Sequence, residues 1–123
     1  MSDHAADSHV RTVYKVVPAA MWARASPKGS FDGSADDLRD GFIHLSSAVQ
    51  LAGTLAKYFR GQPDLLLIAF NTGDLEPHLK WEASRGGDLF PHYYGSLPTK
   101  LALWKKPLPL DQSGLPQLDQ DTL

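Results

Sequence analysis

The sequence holds no cysteine among its 123 residues. That absence excludes a disulfide framework, a thiol nucleophile, a zinc site built on thiolates and an iron–sulfur cluster. A basic excess is missing too: 12 Lys and Arg stand against 14 Asp and Glu, a formal charge of −2 with a pI near 6.2. Tracking a nucleic-acid backbone takes a basic stripe, so no extended nucleic-acid groove is expected. Long apolar runs are absent. The longest, Leu65 to Phe70, falls far short of the roughly 20 residues of a membrane span, so no membrane partner is expected either. The polar start from Met1 to His9 has no apolar segment of the secretory kind, which leaves the cytoplasm as the expected location. No internal repeat, GxGxxG, Walker A run, HExxH or GxSxG occurs.

What is present has an ordinary globular composition, with 42% hydrophobic and 21% charged residues. The length fits one domain. Residues 1–11 read as a disordered N-terminal tail, which sets His4 and His9 outside any site. Residues 12–108 read as a single α+β domain. Residues 109–123, rich in Pro, Gln and Asp, read as an extended C-terminal tail.

Within the domain, Thr12 to Val17 is β-branched and aromatic, a first strand. Pro18 opens a short Ala-rich helix around Trp22, and Pro27 is expected to end it. Ser34 to Asp37 can cap one helical turn. A short strand from Gly41 to Ser46 then meets the capping pattern Ser47-Ala-Val-Gln50. Apolar residues at spacings of three and four predict a helix to about Phe59, capped by Gly61. Asp64 to Phe70 predicts a strand covered on both faces, and Leu79 to Ala83 another. Leu89 to Gly95 is expected to be irregular, because Pro91 cannot donate to a sheet ladder. Lys100 to Lys106 predicts a final strand. Two early helices beside several strands make an α+β fold with a mixed or antiparallel sheet.

Three segments set reactive side chains among aromatic ones. In Asp40-Gly-Phe-Ile-His-Leu-Ser46, His44 and Ser46 sit before a helix start, which favours anions such as phosphate; the plainer reading is a helix cap beside a core histidine. In Lys80-Trp-Glu-Ala-Ser84, Glu82 beside Trp81 can act as a base or steady a developing cation, or simply face solvent with Lys80. In Leu89-Phe-Pro-His-Tyr-Tyr-Gly95, aromatic faces can stack on a flat ring while His92 bonds a phosphate or hydroxyl; alternatively His92 points outward. His44, His78, His92 and Glu82 lack tight metal-ligand spacing, so no metal site is assigned. Trp22 and Trp104 suit the core better than a site, although Trp22 stays among the ligand-binding candidates.

Taken together, Tyr14-Lys15-Val16, Trp22, Asp40 to Ser46 with Gln50, Lys80-Trp-Glu82, and Phe90-Pro-His-Tyr-Tyr-Gly95 with Leu97-Pro98 resemble the domain-of-unknown-function family numbered 952, over about Val13 to Leu108. The resemblance implies a fold like that of the ADP-ribosyltransferases, which include the RNA 2′-phosphotransferases and bind NAD or an ADP-ribose-like group in a split-sheet cleft. The positional counterparts are Tyr14 or Lys15, the His44-Leu45-Ser46 strand, and Glu82. The early strand has neither the Arg nor the His those enzymes usually carry there.

On this reading His44, Glu82 and His92 are the catalytic candidates. Trp81, Tyr93 and Tyr94 contact a base or ring, and Lys15 and Ser46 hold a phosphate. NAD is the candidate ligand or co-substrate, and no cofactor is assigned with it. The competing reading is a non-catalytic module on the same fold that binds a small anionic ligand or a protein partner. The sequence leaves the oligomeric state open.

Overall fold

The structure, a computed structural model, describes residues 10–123. His4, His9 and most of the expected N-terminal tail lie outside the described residues. Eight strands and four α-helices follow in chain order: β1 (Thr12–Pro18), α1 (Ala19–Lys28), β2 (Ser30–Phe31), α2 (Ala35–Asp40), β3 (Ile43–His44), α3 (Leu51–Tyr58), β4 (Leu65–Asn71), α4 (Thr72–Leu75), β5 (Leu79–Ala83), β6 (Leu89–Tyr93), β7 (Leu97–Pro98) and β8 (Ala102–Leu108). All strand pairs are antiparallel, in three sheets ordered β1-β4-β8, β2-β7 and β3-β6-β5. The fold class is α+β, in one domain.

The alternation of side chains along β1 and β4 explains the two-sided core. Val13, Val17, Ile68 and Phe70 enter one cluster with Trp22, Phe31, Leu75 and Tyr93. Tyr14, Val16, Leu65, Leu67 and Ala69 face the opposite cluster with Leu51, Leu55 and Leu108. The continuous apolar run in β4 therefore does cover both faces. Leu118 and Leu123 pack against the second cluster, and the Gly61 N–H donates to the Gly114 carbonyl at 2.6 Å, so the C-terminal segment lies against the domain.

Three local expectations need correction. Pro27 lies within the last turn of α1, which ends instead at Gly29 in the left-handed conformation (φ 84°). Helix α3 stops at Tyr58 with Phe59 as its cap, and Gly61 (φ 80°) turns the chain afterwards. Most important, Leu89 to Tyr93 is the central strand of its sheet. The N–H and C=O of one strand residue face the same neighbour. The Pro91 carbonyl accepts from Leu45 N–H at 3.0 Å, so its missing donor falls beyond the two-residue β3, where that ladder ends anyway.

After β3 the chain bridges to β1. Tyr14 and Ser46 exchange backbone hydrogen bonds of 2.8 and 2.9 Å. That single bridge joins the sheet of β1 to the sheet of β3 and β6, which otherwise remain separate.

Candidate functional site

A cavity of about 220 Å³ opens beside this bridge. Its walls come from Tyr14, Lys15 and Val16 on β1, His44 to Ser46, Thr54 and Tyr58 on α3, and Phe90 and His92 on β6. Ser34, Asp36, Asp37, Arg39 and Asp40, on or next to α2, also line it, as do Phe59 and Ser84.

Asp37 organises one wall. Its side chain is 1% exposed. The Lys15 ammonium donates to Oδ2 at 2.9 Å and Oδ1 at 3.2 Å. Ser34 N–H donates to Oδ2 at 2.9 Å, closing a capping box at the start of α2. His44 N–H donates to Oδ1 at 3.1 Å, and His44 Nδ1 stands 2.6 Å from the same oxygen. Burial disfavours charge on both Asp37 and Lys15. For Asp37 the His44 hydrogen bond and the Lys15 charge outweigh burial and hold the carboxyl well below the usual carboxylate range. For Lys15 burial outweighs Asp37 and pulls the ammonium down. His44 Nε2 lies 2.9 Å from Asp40 Oδ2, and Asp40 also accepts from Arg39 Nε at 3.0 Å.

His92 forms the facing wall. Its Nδ1 stands 2.8 Å from Glu82 Oε1, which also accepts from the Tyr94 hydroxyl at 2.7 Å. The His92 ring stacks on Phe42, with centroids 3.9 Å apart and planes at 20°. Phe42 also meets His44 at 4.7 Å, and the two imidazoles are 5.7 Å apart. Burial lowers the His92 pKa against the opposing pull of Glu82. The hydrogen bonds from His92 and then Tyr94 lower that of Glu82.

The predicted residues therefore divide. His44, His92, Ser46 and Lys15 reach the cavity, although Lys15 spends its charge on Asp37 and is no free phosphate holder. Ser46 Oγ is bonded to Thr54 Oγ1 at 2.9 Å. Glu82 and Tyr94 stand behind His92 and do not line the cavity. Trp22 is a core residue packed on Phe31 and Phe70, at 5.8 and 6.3 Å. Tyr93 and Trp81 also turn to the core, because strand alternation puts them opposite His92 and Glu82. His78 meets only Tyr93 among the ring contacts, at 5.6 Å. Among the described residues, no group of three or more His, Asp or Glu gathers in metal-holding geometry. At the helix start Gln50 Oε1 takes the Ser47 N–H at 3.0 Å, which leaves one donor fewer for an anion. Asp37 is the residue that sequence reasoning missed as a site group. Its signal was present, since Asp37 closes the Ser34 capping pattern seven residues before His44, but that pattern pointed only to a cap.

The molecule is thus a small antiparallel α+β domain whose cavity brings two histidine–carboxylate pairs together. The chain belongs to the family described as a protein of unknown function, DUF952, which matches residues 16–104. The crystal structure of protein CC0527 from Caulobacter crescentus is 48% identical, covers 87% of this chain and 94% of its own, and has a TM-score of 0.84. The solution NMR structure of CC0527 is also 48% identical, with 91% and 96% covered and a TM-score of 0.81. No curated protein matches the chain. Among the described residues, no helix is long and apolar enough to cross a membrane.

Proposed function

We propose that the cavity binds the ribosyl end of a nucleotide-like ligand, such as NAD or ADP-ribose, and performs acid–base chemistry on it. The observation that carries this reading is the meeting of two carboxylate-backed imidazoles at one concave site. Among the described residues, Asp36, Asp37 and Asp40 outnumber Lys15 and Arg39 in the walls. That balance favours a positive centre, such as a nicotinamide ring or an oxocarbenium-like carbon, over a bare phosphate. The volume lies below the usual range of about 300–1,000 Å³ for drug-sized ligands, which suits one ring and its sugar rather than a whole dinucleotide. Antiparallel sheets that part beside the Tyr14–Ser46 bridge are consistent with an ADP-ribosyltransferase-like split sheet.

Thermal unfolding with NAD, ADP-ribose and 2′-phosphorylated RNA tests the reading, together with an assay for nicotinamide release. The expected result is stabilisation by NAD or ADP-ribose that His92→Ala abolishes, with turnover in the wild type. Stabilisation without turnover would favour the non-catalytic module. No response to any of the three would sink the nucleotide reading.

A further inference from the structure

We infer that His92 Nε2 is the base of this site, and that Glu82 is the positioning residue that holds the ring with its proton on Nδ1. The inference deepens the proposed acid–base reading and rests on it. Of the two imidazoles, only His92 has a nitrogen to offer. His44 faces a carboxylate at each nitrogen, Asp37 at Nδ1 and Asp40 at Nε2. His92 meets Glu82 through Nδ1 alone, and an ionised carboxylate only accepts, so Nδ1 carries the hydrogen. Among the described residues Nε2 has no partner. None of their side-chain nitrogens or oxygens is both sealed from solvent and unbonded. Nε2 therefore opens to the cavity that His92 lines. Stacking on Phe42 fixes the ring plane.

The charged and titratable groups facing His92 are Glu82 and Tyr94 beside it, Lys80 opposite it on β5, and His44 and Asp40 across the cavity. Glu82 is the one that touches the ring. Its side chain is 39% exposed, and the Tyr94 hydroxyl fixes its Oε1. In the reaction a nucleophilic O–H gives its proton to Nε2, and the oxygen uses the freed pair to bond the electrophilic carbon. The bond from that carbon to the leaving atom breaks with its pair: nicotinamide departs as a neutral ring, and Nε2 then gives its proton to water. Glu82 stabilises the transient imidazolium without itself being protonated.

Nitrogen-15 imidazole spectra of the full-length, ligand-free protein test this through pH titration. The expected wild-type spectrum shows neutral His92 protonated on Nδ1, with an unprotonated Nε2. Glu82→Ala should redistribute the proton between the two nitrogens. Glu82→Gln keeps the acceptor but not the charge, and should move the His92 titration down by about one pH unit or more. A wild-type ring protonated on Nε2, or a His92 whose tautomer and titration ignore both variants, overturns the assignment. Because no ligand is used, failure of NAD to bind sinks the nucleotide reading alone, and a wrong tautomer sinks this one alone.

Discussion

Replacing Asp37 should cost far more than replacing its buried partner Lys15. Asp37→Asn removes the charge facing an ammonium that is only 6% exposed. Among the described residues, the only other acceptor the ammonium keeps is the His44 carbonyl at 3.0 Å. The amide also presents an NH2 group to the Lys15 and Ser34 donors, where an oxygen had accepted. Leaving one member of a buried ion pair uncompensated costs about 3–5 kcal/mol, a large part of a typical stability of about 5–15 kcal/mol. Lys15→Met leaves a carboxylate that still accepts from Ser34 N–H and from His44 N–H and Nδ1. Its cost should stay near the level of a lost charged hydrogen bond, about 1.5–3 kcal/mol. Urea unfolding of both variants, with unchanged slope, reads the difference directly. Equal losses, or a loss below about 1 kcal/mol for Asp37→Asn, would refute the argument, because Lys15 would then be reaching water.

Three further outcomes can be checked. Gly33→Ala places a Cβ 2.7 Å from Asp37 Cβ at a φ of +121°, so it should destabilise by about 1–3 kcal/mol and disturb the His44 ring resonances; unchanged spectra would contradict this. Trp22→Ala should cost about 3–5 kcal/mol in urea unfolding while leaving the His92 tautomer as it was, since Trp22 packs in the core. The folded-state pKa values of Asp37 and Glu82 are both depressed. The stability they contribute is therefore complete above the unfolded carboxylate range near about pH 4 and drains away as pH falls through their lower folded values. A urea midpoint that begins to fall well above that pH would point to other groups.

Local chemistry was legible where it depends on neighbours in the chain. The β-branched run at Thr12, the capping pairs Ser34–Asp37 and Ser47–Gln50, and the apolar run of β4 all appear as their sequence implies. Pro91 misled because its missing donor was weighed without knowing which edge it would face. Trp81 and Tyr93 misled for a related reason. Alternation along β5 separates Trp81 from Glu82 but does not say which face meets the core, and Tyr93 lies in a segment expected to be irregular, where no alternation could be read.

The sequence by itself determined most element types (not the strand through Pro91), the single α+β domain, the absence of thiol chemistry and the prominence of His44 and His92. Period, capping and composition act over a few residues. Only the tertiary structure decided that Asp37, 22 residues after Lys15, would neutralise that lysine, or that Glu82 would stand behind His92 rather than in the cavity. Both follow from antiparallel pairing and from the Tyr14–Ser46 bridge, contacts between distant residues whose register depends on how the whole core packs.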